Sequence, residues 1–122
     1  MTIAAMVAHE TAHMFQYRIG WFNQPRGAAT SLRCVELHAD FLAGAFVRWH
    51  LLTAGLPEID PKQLLYGVAG QAGFQPRLGN HHGLPFERDL AFAAGHDAPP
   101  GRPAEDTARD WPAIAQTLNC ID

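Results

Sequence analysis

Glycine and proline divide this 122-residue chain into a few long stretches, and this division limits the folds it can adopt. Residues 2–19 contain neither, and Gly20 follows them as a residue typical of helix C-termini. Residues 31–53 form a second long stretch, with Ser31 as a suitable N-cap and Gly55 just beyond its end. The spacing therefore predicts two long α-helices. The first has apolar residues at helical spacing that predict a buried face: Ile3, Met6, Val7, Met14 and Phe15.

Shorter helices are predicted in the second half of the chain, where proline and glycine are more frequent. No stretch alternates apolar and polar residues as a half-buried strand does. We therefore expect a single all-α domain over residues 1–122, with four or five helices. The remaining predicted elements are a helix over 60–69, an irregular loop over 70–83, a helix from Pro85 ended by Gly95, and a helix over 104–118 interrupted at Pro112.

Composition excludes several classes of protein. The chain is 48% apolar and 17% charged with a net charge of −3, a balance that does not favour disorder. A pI near 6.1 gives no general attraction to nucleic acid, so no nucleic-acid partner is expected. The apolar run over residues 41–47 is far too short to cross a membrane, and no signal peptide is recognised. The compartment stays open, with the cytoplasm as the default, and the oligomeric state stays unknown.

The chain has two cysteines, Cys34 and Cys120, which are too few for a disulfide framework. They could pair, since one lies in the middle of the chain and the other near its C-terminus. Two unpaired and mostly buried thiols are the favoured interpretation. A zinc site made of cysteines alone is excluded, because neither cysteine belongs to a CxxC sequence.

Histidine is the unusual component of the composition, with seven residues. Residues 9–13 read His-Glu-Thr-Ala-His, an HExxH sequence in the middle of the first predicted helix. Because side chains at i and i+4 project from one face, His9 and His13 can bind the same Zn²⁺. Glu10 lies about 100° around the helix from His9, close enough to take a proton from a water on the metal. The alternative is a pair of buried histidines bonded to backbone atoms.

A catalytic zinc usually takes three protein ligands, so one more ligand is expected elsewhere in the chain. The metzincin pattern is excluded, because Gln16 and Ile19 stand where it needs glycine and histidine. Glu36 and Asp40 share one face of the second helix, among apolar neighbours that favour burial, and buried carboxylates need partners. Glu36 is therefore the candidate third ligand, and Asp40 the candidate acceptor for the far N–H of a ligand histidine. The alternative is an ordinary solvated face.

An HExxH on one helix followed by an ExxxD on the next resembles the gluzincin metallopeptidases. In finer detail the chain is similar to the neutral zinc metallopeptidase family of bacteria, although Leu84 and Phe86 replace polar residues of that family's third block. The blocks of the resemblance span residues 7–95, which is most of the chain. Its three blocks are A-H-E-x-x-H-x-x-Q over residues 8–16, E-L-x-A-D-x-x-A-G over residues 36–44, and H-G-L-P-F-E-R over residues 82–88, followed by Phe92 and Gly95.

The resemblance implies a zincin-like helical core and a zinc-dependent metallopeptidase that acts on a peptide or protein substrate. Zinc would be held by His9, His13 and Glu36, with Glu10 as the general base that also passes its proton to the leaving amine. His82 is the first candidate to support the oxyanion, because its loop must pass near the second helix. The alternative for His82 is a contact at the N-terminus of the following helix. Tyr66 and His81 are the next candidates for the oxyanion role.

The other histidines and the large aromatic residues have no pattern that suggests chemistry. His38 lies well around the second helix from Glu36 and is expected to be structural or at the rim of the site. His50 and His96 are expected at the surface. Packing between helices is expected of Trp21, Phe22, Trp49 and Trp111.

The position of the motif near the start of the chain leaves alternatives open. Metallopeptidases of this kind have a β-sheet before the HExxH helix, and only eight residues precede His9 here. The chain is therefore expected to be either an N-terminally shortened fragment or a minimal zincin core. One alternative function is a zinc-binding but catalytically impaired zincin fragment. Another is a helical interaction module in which the HExxH is accidental.

Overall fold

The computed structural model describes residues 3–20, 32–57, 83–98 and 109–120, most of which are helical. No strand occurs within these ranges, so the all-α prediction is confirmed for them. The predicted helix over 60–69 and most of the predicted loop over 70–83 lie outside the described residues. In chain order the helices are α1 (Ile3–Arg18), α2 (Leu32–Thr53), α3 (Pro85–His96) and α4 (Trp111–Thr117).

Helix α2 is the centre of the fold, and α1, α3 and α4 each pack against it. Twelve of its 22 residues are buried, including all of residues 37–44. A helix that is buried on most of its circumference must be covered by neighbours on several sides. Polar groups on its middle turns therefore need partners from the other helices. Among the described helices, none is long and apolar enough to cross a membrane.

Glycines end α1 and α2 as predicted. Gly20 and Gly55 have φ values of +68° and +67°, a left-handed conformation that glycine adopts without the strain of a side chain. At the end of α2 the N–H of Leu56 donates to the carbonyl of Leu51 at 2.9 Å, and the N–H of Gly55 donates to that of Leu52 at 3.2 Å. This pair of bonds satisfies carbonyls that the helix leaves open.

Gly95 does not end α3, and this part of the prediction is wrong. The helix continues to His96, and Gly95 lies inside it. A Cβ atom on Gly95 would overlap the main-chain carbonyl of Phe41, and one on Gly44 would overlap that of Phe92. The two glycines therefore let α2 and α3 approach until their backbones are in contact.

The predicted buried face of α1 is also wrong in part. Met6, Val7 and Met14 are exposed by 41%, 60% and 73%. The residues that bury α1 against α2 are small or polar, because small side chains allow the helices to approach closely. Phe15 is partly buried and packs against the main core cluster. The buried face of α1 consists of Ala5, Ala8, His9, Ala12 and Gln16.

Helix α4 starts at Trp111, with Pro112 in its first turn, where the missing N–H of proline costs no helical hydrogen bond. Arg109 is helical and Asp110 lies in a turn before α4, so the described residues agree with the predicted interruption next to Pro112. Residues 104–108 of that predicted helix lie outside the described residues. Trp111 is 3% exposed and contacts the rings of Phe41 and His38, at centroid distances of 5.7 and 5.2 Å. Its predicted role in packing between helices is confirmed.

Cys34 and Cys120 form a disulfide, so the favoured interpretation of two free thiols is wrong. The bond joins the first turns of α2 to the residues that follow α4, across 86 positions, with the Cα atoms 5.6 Å apart. Arg33 strengthens the same junction, because it donates to the carbonyl of Leu118 at 2.7 Å and pairs with Glu87. Packing of α4 onto α2 brings together two cysteines that are remote in sequence.

Loss of the disulfide is expected to destabilise the fold strongly. Because it closes a loop with a sequence separation of 86, chain entropy predicts a contribution of about 4–5 kcal/mol to the free energy of unfolding. We expect a variant with Cys34→Ala and Cys120→Ala to lose about this amount in urea unfolding. Wild-type protein should lose a similar amount in a dithiol reductant, and the variant should not respond to the reductant. Equal stability of oxidised and reduced wild-type protein would contradict the bond.

Candidate metal centre

Three polar side chains meet where α1 faces the first turns of α2. The Nε2 atom of His9 lies 2.8 Å from Oε2 of Glu36, and Nε2 of His13 lies 3.3 Å from the same oxygen. The two Nε2 atoms are 3.1 Å apart. The HExxH histidines and the predicted third residue therefore form a compact triangle of possible ligand atoms.

The triangle has the donors and the dimensions of a three-ligand metal site. Zinc binds imidazole nitrogen and carboxylate oxygen at about 2.0–2.1 Å, so ligand atoms around a tetrahedral ion are about 3.3 Å apart. The three separations of 2.8, 3.1 and 3.3 Å are close to this value. Two imidazoles and a carboxylate suit Zn²⁺ and other transition-metal ions better than Ca²⁺ or Mg²⁺.

The geometry of the triangle follows from the helices that carry it. His9 and His13 are one turn apart on α1, with their ring centroids 4.7 Å apart and their planes nearly perpendicular. Side-chain exposure rises from 8% for His9 and 12% for Glu36 to 26% for His13. The centre is thus closed on the side of His9 and reaches solvent on the side of His13.

Asp40 holds the closed side of the centre. Its Oδ1 atom accepts a hydrogen bond from Nδ1 of His9 at 2.9 Å, the contact expected from its place one turn after Glu36. Arg88 of α3 binds both Asp40 oxygens, with Nε 2.7 Å from Oδ2 and Nη2 3.0 Å from Oδ1. Asp40 and Arg88 are both almost fully buried, so the ion pair replaces the water that each charge would otherwise need.

The hydrogen bonds around His9 favour the protonated form of its ring. Burial acts to lower the pKa of His9, but its hydrogen bonds to Asp40 and Glu36 outweigh burial and raise that pKa to about 9. Burial acts to raise the pKa of Glu36, and its hydrogen bonds to His13 and His9 hold that pKa well below its usual range. A metal ion would have to displace the proton of His9, because a ligand imidazole binds through its lone pair.

His38 is part of the structure behind the centre and does not lie at its rim. It is fully buried and accepts a hydrogen bond at Nδ1 from Nε2 of Gln16, 2.8 Å away. Burial lowers its pKa to about 3, so the ring is neutral. Of the two roles predicted for His38, the structural one is therefore confirmed.

Glu10 follows His9 on α1, and its side chain is exposed. It lies on the solvent side of α1, while His9 is buried and Glu36 is half-buried. His82, Tyr66 and His81 lie outside the described residues, so their predicted roles at the oxyanion stay predictions.

Two expectations about residues away from the centre are wrong. His96 was expected at the surface but is 3% exposed, because the close crossing of α2 and α3 buries the end of α3. Trp49 was expected to pack between helices but is 53% exposed at the C-terminal half of α2. His50 is exposed as predicted, while Trp21 and Phe22 lie outside the described residues.

Sequence reasoning assigned no role to two residues that support the centre, Arg88 and Gln16. Both lie within the sequence blocks on which the resemblance was based, and their place in those blocks is the signal that could have identified them. Their partners could not be derived from spacing, because Arg88 is 48 positions from Asp40 and Gln16 is 22 positions from His38.

Comparisons with known proteins leave the family open: no family model, no curated protein and no solved structure matches the chain.

Replacement of Arg88 is expected to show how strongly the centre depends on its ion pair. Arg88→Met keeps much of the side-chain length but leaves Asp40 buried without its cation, which should cost about 3–5 kcal/mol in the free energy of unfolding. Urea unfolding measures this loss. Arg18→Met is the matched control, since Arg18 is exposed at the end of α1 and its replacement should change stability by less than about 0.5 kcal/mol. Equal stability of the two variants would contradict the buried ion pair.

Proposed function

We propose that this chain carries the zinc centre of a metallopeptidase that hydrolyses peptide bonds. The observation that carries the proposal is the meeting of His9, His13 and Glu36 at separations suited to a tetrahedral ion. The resemblance of the HExxH and ExxxD sequences to gluzincins supports the same function.

In this proposal the protein residues divide into those that hold the metal and one that moves protons. His9 and His13 supply Nε2 and Glu36 supplies a carboxylate oxygen. Zinc in this position would act as a Lewis acid toward a peptide carbonyl and the attacking water. The access on the side of His13 leaves room for a substrate to approach.

Glu10 is the proposed general base. It follows His9 directly on α1 and is exposed, and no described residue ties it in an ion pair. A carboxylate in this place takes the proton of the attacking water and transfers it to the leaving amine, so the peptide C–N bond breaks as the new C–O bond forms. His82, and after it Tyr66 and His81, remain the candidates to stabilise negative charge on the carbonyl oxygen.

Zinc binding tests the metal centre directly. We expect one Zn²⁺ per chain by metal analysis after dialysis, and a higher melting temperature with zinc that a chelator reverses. His13→Ala should weaken zinc binding by more than about 100-fold, the upper end of the loss seen when only an outer partner of a ligand is removed.

His50→Ala is the matched control for this experiment, because His50 is an exposed histidine of α2 that is remote from the triangle. It should bind zinc like the wild type. The helical interaction module would be favoured if the wild-type chain contained no stoichiometric zinc, or if its melting temperature did not change when a chelator was added.

Glu10→Gln separates metal binding from catalysis. The variant should bind zinc as the wild type does but lose about 100- to 10,000-fold in the rate of peptide hydrolysis, measured with a quenched fluorescent peptide library. Asp97→Asn removes the same charge at an exposed position directly after α3 and should keep full activity. A zinc-loaded wild type that cleaves no peptide would instead favour a zinc-binding fragment without catalysis. Unchanged hydrolysis by Glu10→Gln would refute the role of Glu10.

A further inference from the structure

Gln16 is a fully buried polar residue of α1 that points away from solvent and toward the back of the metal centre. Its side-chain amide makes three hydrogen bonds. Oε1 lies 2.9 Å from Nδ1 of His13, and Nε2 lies 3.0 Å from the carbonyl of Val35 and 2.8 Å from Nδ1 of His38. The amide therefore links α1 to α2 immediately behind one of the candidate ligands.

The direction of each of these bonds follows from the number of hydrogens on the amide. Nε2 carries two hydrogens, and the carbonyl of Val35 and Nδ1 of His38 accept one each. Oε1 carries none and can only accept, so Nδ1 of His13 must be the donor. The arrangement thus selects the form of His13 that carries its proton on Nδ1.

That selection leaves the opposite nitrogen of His13 available to the centre. Nε2 of His13 lies 3.1 Å from Nε2 of His9 and 3.3 Å from the carboxylate of Glu36. With the proton fixed on Nδ1, the neutral ring directs its Nε2 lone pair toward the place that a metal would occupy.

The two histidines are held by different kinds of partner. His9 is held by the carboxylate of Asp40, whose charge is balanced by Arg88. Among the described contacts of Gln16 there is no cation that would balance a carboxylate in its place. A neutral amide avoids the cost of a second buried charge and still accepts the proton of His13.

His38 completes the arrangement from the far side. It is fully buried between Gln16 and the ring of Trp111, and its Nδ1 faces Nε2 of Gln16, which can only donate. Because both amide hydrogens are engaged, Gln16 cannot exchange the positions of its oxygen and nitrogen without losing these bonds.

We propose that Gln16 is a positioning residue of the metal centre: anchored by Val35 and His38, it holds His13 in the Nδ1–H form with Nε2 directed at the ligand triangle. This inference rests on the proposed function for its purpose, since the selected nitrogen is the one assigned to zinc. Its physical content, the proton position on His13, also exists in the metal-free protein.

The test measures the proton position and zinc affinity in Gln16→Met, which keeps the length of the side chain but can neither accept from His13 nor donate to His38. Long-range proton–nitrogen NMR of the metal-free protein, recorded above the pH at which His13 becomes neutral, should show Nδ1–H in the wild type. Gln16→Met should show a mixture of both forms and bind zinc about 10- to 100-fold more weakly.

Two controls separate positioning from a loss of stability. Gln116→Met makes the same change at an exposed position of α4 and should alter neither readout. Val47→Ala removes buried apolar atoms of α2 away from the centre, so it should lower the melting temperature and leave His13 in the Nδ1–H form. Gln16→Glu retains an acceptor for His13 and should restore the Nδ1–H form that Gln16→Met loses.

Several results would overturn the inference. A wild-type His13 protonated on Nε2 would do so by itself, even if the variants failed to fold. So would a folded Gln16→Met that keeps the Nδ1–H form and wild-type zinc affinity, or a folded Gln16→Glu that loses the Nδ1–H form. A wild type that binds no zinc but shows the expected proton on His13 would refute the proposed function and leave the positioning role of Gln16 in place.

Discussion

The rest of the structure depends on the hydrogen bonds that the buried carboxylate of Asp40 accepts. It lies in the buried middle of α2, where it accepts from His9 of α1 and from Arg88 of α3. A carboxylate that is wholly out of water is tolerated only with such partners, so α1 and α3 must both be docked for α2 to be buried. The same contacts of Asp40 therefore hold α1 and α3 against α2 and fix the position of the candidate ligand His9.

The charges of the buried candidate centre are balanced by its own residues. Arg88 compensates Asp40, which leaves Glu36 as the carboxylate that faces the two candidate histidine ligands. The raised pKa of His9 indicates a protonated ring, whose positive charge compensates Glu36. Exchange of that proton for a divalent ion would raise the net charge of the centre by one unit.

Local geometry accounts for what could be predicted from the sequence. The i, i+4 spacing of His9 and His13 depends only on a helix, so their convergence could be foreseen, while Glu36 followed from the need for a third ligand. The partners of Arg88 and Cys120 depend on how distant segments pack, and no local pattern carries that information. The buried face of α1 was misjudged for a different reason: small alanines allow a closer approach than Met14 and its large apolar neighbours do, so size outweighed hydrophobicity.

The close crossing of α2 and α3 fixes the position of Arg88 relative to the carboxylate of Asp40. Gly44 is one turn beyond Asp40 on α2, and Gly95 is two turns beyond Arg88 on α3, so the backbone contact and the ion pair lie along the same two helix faces. A Cβ atom at either glycine would meet a main-chain carbonyl of the other helix, so this crossing requires glycine at both positions. The orientation of His9 is thus set through Asp40 and Arg88 by main-chain contact between α2 and α3.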